Sequence, residues 1–226
     1  LLLIGCGSVL AGEAEWREHM EAGEAAQKRD DKFTATTSFN AALREAESFG
    51  PHDRRLAITL SWVAANHQAQ GRLAEAENHF RRALAIREAT DGPDHFEVSR
   101  ILNSIAVNYA RQGRFAEAEP LWTRAIAIAE KTYGPDHLSV ATGLNSLGHL
   151  KYQQGRYAEA EAFHLRALAI REKARGPEHA LLVADLGSLA ALYFKTGDFT
   201  KAESFSTRLL TLREKLLGPD HADVAK

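Results

Sequence analysis

Ten histidines, a recurring pair of glutamates and a single cysteine are the groups in this 226-residue chain that could carry chemistry. Imidazoles make a metal site when their nitrogens converge on one ion, at about 2.0–2.1 Å for zinc. Four of the ten, His95, His137, His179 and His221, stand 42 residues apart, so a repeating structure carries them past one another instead of gathering them. No His-x-x-x-His or Cys-x-x-Cys pair accompanies them, and neither a metal nor a cofactor is expected. The glutamates occur as Glu75-Ala76-Glu77, Glu117-Ala118-Glu119 and Glu159-Ala160-Glu161. Paired carboxylates can shuttle protons. Three copies at one period, with Arg82, Arg124 and Arg166 nearby, read instead as a solvated helix face. Cys6 has no histidine within sequence reach to activate it. Gly-x-Ser-x-Gly, phosphate-loop and dinucleotide glycine patterns are missing. These residues predict no enzyme.

Composition narrows the partners. The chain has 28 Lys+Arg against 30 Asp+Glu, a formal charge of -2, without the basic excess of a nucleic-acid footprint. One cysteine excludes an internal disulfide. With 45% hydrophobic residues the chain can build a continuous core, and 39 alanines against six prolines favour helix.

The elements that must position any site are set by a repeat. Gly-Pro-Asp-His occurs at Gly92, Gly134 and Gly218, with Gly176-Pro177-Glu178-His179 between and a degenerate Gly50-Pro51-His52-Asp53 before, each glycine 42 residues after the last. In step with it run Gly71-Arg72-Leu73-Ala74-Glu75-Ala76-Glu77, two close copies at Gly113 and Gly155, and a looser Gly197-Asp198-Phe199-Thr200-Lys201-Ala202-Glu203. Val98, Leu102, Ile105 and Tyr109 fall at i, i+4, i+7 and i+11, the stripe of an amphipathic helix. Phe115, Ala118, Trp122 and Ala125 form a second stripe after Gly113. Each unit is therefore a helix hairpin. Glycine ends its first helix and proline halts its second. The acid after that proline is expected to cap the next helix, with Asp94/Glu97 and Asp220/Asp223 resembling capping boxes. Ala76, Ala118, Ala160 and Ala202, with Ala83, Ala125 and Ala167, mark positions where helices approach closely.

This glycine-alanine grammar, with Phe80 and Trp122 between the alanines, resembles the tetratricopeptide repeat. The 42-residue period and the stretch LNSIAVNYARQGRFAEAEPLWTRAIAIAEKTYGPDH look like its kinesin-light-chain type. The resemblance is strong over residues 54–226 and weak over residues 13–53, a degenerate first hairpin. It implies an all-α, right-handed superhelical solenoid. The closing His221-Ala222-Asp223-Val224-Ala225-Lys226 repeats the start of a first helix, so the solenoid is expected to be C-terminally truncated.

The amino terminus has neither an initiator methionine nor a basic start and reads as the tail of something longer. Leu3-Ile4-Gly5-Cys6 resembles the bacterial lipobox. That resemblance implies that residues 1–5 end a cleaved signal peptide and that Cys6 is acylated. Residues 1–12 would then be leader and tether, and Gly7 favours the outer membrane, facing the periplasm. An ordinary secretory cleavage site at Val9-Leu10-Ala11 gives a soluble periplasmic protein, and a stray apolar helix start a cytoplasmic one. The apolar run is too short to span a bilayer, which takes about 20 residues.

A binding surface is what the family resemblance leaves. Its groove positions fall on Ser61, Ala65 and Gln68; on Arg100, Asn103, Val107 and Arg111; on Thr142, Asn145, His149, Tyr152 and Gln153; and on Gly187, Ala191, Phe194 and Lys195. Asn103 and Asn145 match the asparagine that clamps a ligand's main chain in resembling proteins, a carboxamide offering one donor and one acceptor to a peptide unit. Arg100, Arg111 and Lys195 add a mild positive field, and Tyr152 and Phe194 apolar contact. The expected partner is a protein or peptide, acidic or carboxylate-ended, with one large apolar side chain. Ser104, Ser146 and Gly187 depart from the family's asparagines. The reading is a non-catalytic scaffold assisting envelope assembly or secretion. Its alternatives are a structural subunit using the convex face and a regulatory segment of a larger enzyme.

Overall fold

The computed structural model describes residues 3–218 and 221–222, with side chains from residue 12 onward. Its ten helices among the described residues are α1 (Leu3–Lys28), α2 (Lys32–Ser48), α3 (Arg54–Ala69), α4 (Leu73–Asp91), α5 (Phe96–Arg111), α6 (Phe115–Tyr133), α7 (Leu138–Gln153), α8 (Tyr157–Arg175), α9 (Leu182–Thr196) and α10 (Phe199–Leu217). No strand occurs among those residues. The protein is an all-α solenoid of helix hairpins, as the repeat predicts. It divides into two compact units, Leu1–Ala118 and Glu119–Lys226.

The turn inside each hairpin follows from one glycine. Gly71 takes φ 77°, a conformation that costs a residue with a Cβ about 1–2 kcal/mol. There the Gly71 N–H donates to the Gln68 carbonyl at 3.1 Å and the Arg72 N–H to the His67 carbonyl at 2.9 Å, the two bonds of a Schellman motif. Gly113, Gly155 and Gly197 repeat both bonds.

The turn between hairpins corrects an expectation. Two first helices, α5 and α7, are capped by the repeat histidine, not by the acid before it. Nδ1 of His95 and His137 accepts from the backbone N–H of Glu97 (3.3 Å) and Ser139 (3.2 Å), while His179 Nδ1 accepts from Leu181 N–H (3.1 Å) within the turn that precedes α9, a helix whose N-cap Leu181 makes no side-chain cap bond. An imidazole nitrogen aimed at a helix start does the work of a carboxylate oxygen, at the residue whose extended backbone (His95 φ -72°, ψ 146°) suits a cap. The neighbouring acids serve elsewhere: Asp136 pairs with Lys173 and Glu178 with Lys215, each at 2.5 Å. The Asp220/Asp223 pair lies outside the described residues.

In the first unit Met20, Phe39, Ala42 and Val63 form a core against which Trp16 and Trp62 pack. Phe33 is 83% exposed at the start of α2, and Phe39 carries the burial. The degenerate hairpin docks on the next one: Trp16 Nε1 donates to Thr59 Oγ1 at 2.7 Å and Arg55 pairs with Glu13 at 3.2 Å. The backbone of the expected tether, residues 1–12, belongs from Leu3 to α1. The side chain of Cys6 lies outside the described ones. In the second unit Leu168, Leu182, Leu186, Leu189 and Tyr193 form the core. The small-residue positions are as expected: Ala76, Ala118, Ala160 and Ala167 have no exposed surface.

Only the first member of each glutamate pair lies on the solvated face that their repetition suggested: Glu75, Glu117 and Glu159 are exposed, and Glu77, Glu119 and Glu161 are half-buried. In Gly-Arg-x-Ala-Glu-Ala-Glu, the first glutamate pairs with the arginine: Arg72 with Glu75 at 3.0 Å, Arg114 with Glu117 and Arg156 with Glu159 at 2.6 Å. The second glutamate reaches forward 32 residues to the next hairpin. Tyr109 Oη donates to Glu77 at 3.0 Å, Lys151 Nζ to Glu119 at 2.5 Å and Tyr193 Oη to Glu161 at 2.6 Å. Each bond joins a second helix to the first helix that follows it. Lys151 and Tyr193 are buried. Burial, then the hydrogen bond to Glu161, pushes the Tyr193 hydroxyl pKa up, so the phenol stays a donor.

Candidate functional site: a cleft and a polar core

The first unit holds a cleft of about 300 Å³ between α3, α4 and α5, lined by Ser61, Trp62, Ala65, Phe80, Glu97, Arg100, Ile101, Asn103 and Ser104. Its floor is apolar because Phe80 and Ile101 are core residues, and Trp62 is held by stacking on Phe39 at 5.6 Å. Its rim is polar. Arg100 is exposed and is steadied by Glu97, one turn earlier, at 3.0 Å. Such an arrangement can take one apolar side chain into the floor while the rim meets main-chain polar groups.

Of the groove positions expected in this unit, Ser61, Ala65, Arg100 and Asn103 line the cleft. Gln68 and Arg111 do not. Arg111 Nη1 donates to the Gln68 carbonyl at 2.7 Å, fastening α5 to α3, and Val107 is half-buried. Trp62, Phe80 and Glu97 are lining residues that the family alignment omitted; Phe80 and Glu97 were visible in the sequence as core and capping residues.

In the second unit Thr142, His149, Gln153, Phe194 and Lys195 are exposed, and Tyr152 is half-buried against Tyr157. Asn145 departs from its expected role. It is 8% exposed, and its Nδ2 donates to Asp185 Oδ1 at 2.8 Å, so it braces the core and does not face a ligand. The Arg171 guanidinium donates to the same carboxylate oxygen. Asp185 stands where the register has Ile101 and Gly143, and His164 stands where it has Phe80 and Trp122. Room for the ring comes from Gly148, where a Cβ would lie 2.6 Å from His164 Cε1. Burial pushes the Asp185 carboxyl pKa up, against the pull of Arg171 and Asn145. Burial, with His149 and Arg171 nearby, pushes His164 down to about 4. His149 keeps exposed surface, yet the partial desolvation of its ring by the surrounding helices lowers its pKa against the pull of Asp185, and its Nε2 lies 3.3 Å from Ser188 Oγ. Ser188 Oγ also donates to the Ala184 carbonyl at 2.8 Å, as helical serines do. A polar residue at an apolar register position was the signal that could have found this cluster.

No group of three or more His, Cys, Asp or Glu able to hold a metal ion occurs among the described residues. No helix among them is long and apolar enough to cross a membrane.

A family model described as tetratricopeptide repeat matches residues 17–89, 55–121, 97–173 and 139–215. Among curated proteins none matches the sequence. Among solved structures, BtubC (BKLC) from P. vanneervenii is 24% identical over 93% of this chain and 91% of its own, with a TM-score of 0.78. A kinesin light chain of Podosopora anserina with nearly identical TPR-like repeats is 21% identical over 88% and 95%, with a TM-score of 0.75. A Rap protein complexed with Competence and Sporulation Factor is 21% identical over 93% of this chain and 61% of its own, with a TM-score of 0.73. These likenesses show a shared fold.

Proposed function

Because the chain belongs to the tetratricopeptide repeat family, we propose that it is a non-catalytic scaffold that binds an extended or helical segment of a partner protein through the concave side of its first helices. The cleft of the first unit carries this reading, because its apolar floor and polar rim lie side by side on α3, α4 and α5. The segment is acidic or carboxylate-ended and inserts one large apolar side chain beside Trp62, with Arg100 meeting its charge. The Rap protein's complex with Competence and Sporulation Factor supports the use of this fold for capturing a partner.

Binding of fluorescent acidic peptides carrying a single phenylalanine or leucine tests this. Arg100→Glu with Asn103→Ala is expected to weaken binding tenfold or more with helicity unchanged. Equal binding by the double variant, or a preference for basic peptides, contradicts it. Asn145→Ala is unsuitable for this purpose, because it cuts into the core.

The lipobox-like Leu3-Ile4-Gly5-Cys6 supports an extension of the reading, in which acylated Cys6 anchors the scaffold to the bacterial outer membrane and the partner is an envelope assembly or secretion component. Intact mass and membrane fractionation, with Cys6→Ser as control, test it. A soluble, unmodified product removes the anchor and leaves the cleft reading standing.

A further inference from the structure

The last turn of α3 fastens three other helices through consecutive residues. Asn66 Nδ2 donates to Thr36 Oγ1 of α2 at 2.8 Å. The His67 ring stacks on the His79 ring of α4, with centroids 5.4 Å apart and planes 13° from parallel. The Gln68 carbonyl accepts from Arg111 Nη1 of α5 at 2.7 Å, and Gln68 Nε2 lies 3.4 Å from the Ser104 carbonyl on the same helix. Ser104 lines the cleft from α5, and Ser61, Trp62 and Ala65 line it from α3 just before this turn. The turn therefore sets how the α3 and α5 walls of the cleft stand to each other.

The middle fastening is the one that can titrate. In the repeat register His67 and His79 stand where the later hairpins have Tyr109 and Leu121, Lys151 and Phe163, and Tyr193 and Phe205. Tyr193 and Phe205 make the same stack, at 5.5 Å and 18°, so the packing needs no imidazole. His67 is 6% exposed, and its buried Nδ1 has no hydrogen-bond partner among the described residues. An imidazolium donates from both nitrogens, so a protonated His67 holds a charged N–H there with nothing to accept it.

The charged groups that face the pair do not compensate. Arg72, Glu75 and Arg82 come from α4 and the turn before it, and Glu47 from α2. Both carboxylates are already paired, Glu75 with Arg72 and Glu47 with Arg82, each at 3.0 Å. From α5, Arg111 adds a positive charge beside the turn. Burial, then Arg72 and the other ring, lowers the His67 pKa; burial, then Arg82, lowers that of His79. The stabilisation carried by the neutral pair is therefore full above the ordinary imidazole value of about 6.5 and is lost as pH falls below it.

We propose that the His67–His79 stack is an acid-sensitive latch on the cleft. With both rings neutral it holds the last turn of α3 on α4; a proton on either ring parts them, frees that turn from α5 and weakens capture of a partner segment. The effect on capture rests on the cleft reading above, whereas the latch itself is observable without a ligand.

Two measurements at about pH 7.5 and about pH 5, on either side of the ordinary imidazole value, keep these apart: affinity for the fluorescent acidic peptide, and hydrogen-exchange protection of amides 66–70 without peptide. His67→Tyr with His79→Phe installs the stack of the α9–α10 hairpin and removes both titrating rings. On acidification wild type is expected to lose about fivefold or more in affinity and in protection, beyond any loss in the double variant. Titration of the peptide's own carboxylates is common to both proteins and cancels. If the double variant loses helicity at neutral pH, His79→Phe alone replaces it, with a smaller fall in protection than wild type expected. Protection that acid leaves unchanged, or that falls equally in the variant, overturns the latch. Protection that falls in wild type alone while affinity holds overturns its action on the cleft. No binding by wild type at either pH contradicts the cleft reading instead, and protection still decides the latch.

Discussion

His164 and Asp185 show what a polar residue does at a position the register reserves for an apolar one. The buried carboxylate is held by Arg171 and Asn145. Removing one partner of a buried pair leaves the other charge unsatisfied, so Asp185→Ala is expected to cost about 3–5 kcal/mol in chemical denaturation. Asn145→Ala, which removes a neutral donor, is expected to cost about 1–3 kcal/mol. Equal, small losses would place the cluster in solvent. His164 adds a pH dependence of defined sign. Its ring is pushed down to about 4 from 6.5, so on acidification the unfolded chain takes up the proton first. The stability carried by the neutral ring is full above pH 6.5 and is lost progressively towards pH 4, on the order of 3 kcal/mol. His67 and His79 are lowered in the same sense by their own burial, so the measurement is a difference. Wild type is expected to lose about that much more than His164→Phe across the window, and parallel curves would contradict the assignment.

At the scale of the element, the hairpins are legible in the repeat itself. A 42-residue glycine register with stripes at i, i+4 and i+7 permits few other folds. The partners of its polar residues were less legible. A capping box looks the same in sequence whether Asp94 or His95 faces the helix start, because only the backbone angles decide which side chain points at the open N–H groups. The second glutamate of each pair read as solvated because its tyrosine or lysine partner lies 32 residues away on another helix. His137→Ala is expected to remove a cap and destabilise by about 1 kcal/mol, with local exchange rising in the first turn of α7. Glu77→Ala is expected to loosen α5 against α4, and hydrogen exchange at the Tyr109 end of α5 reads it directly. Unchanged protection there would reduce the forward glutamate bond to a surface contact.

For the molecule as a whole, the scaffold reading rests on the first unit's cleft. Four of the nine residues that line that cleft were expected groove positions. Ser61, Ala65, Arg100 and Asn103 were placed by the register, while Trp62 and Phe80 look like any core aromatics until the floor they make is seen. Asn145 could not be separated from Asn103 by its own place in the motif, since its diversion into the core depends on Asp185 from α9, whose polar side chain at an apolar register position was the one sequence signal. The convex-face alternative differs from the cleft reading in one observable, the place where a partner touches. A photo-crosslinking residue at Ser104, on the cleft rim, and another at Ala85, on the exposed side of α4, therefore separate them. With the protein expressed from its own gene in its own compartment, the account predicts a discrete adduct from Ser104, competed by an acidic apolar peptide, and none from Ala85. An adduct from Ala85 alone, or one from Ser104 that the peptide leaves untouched, would contradict it.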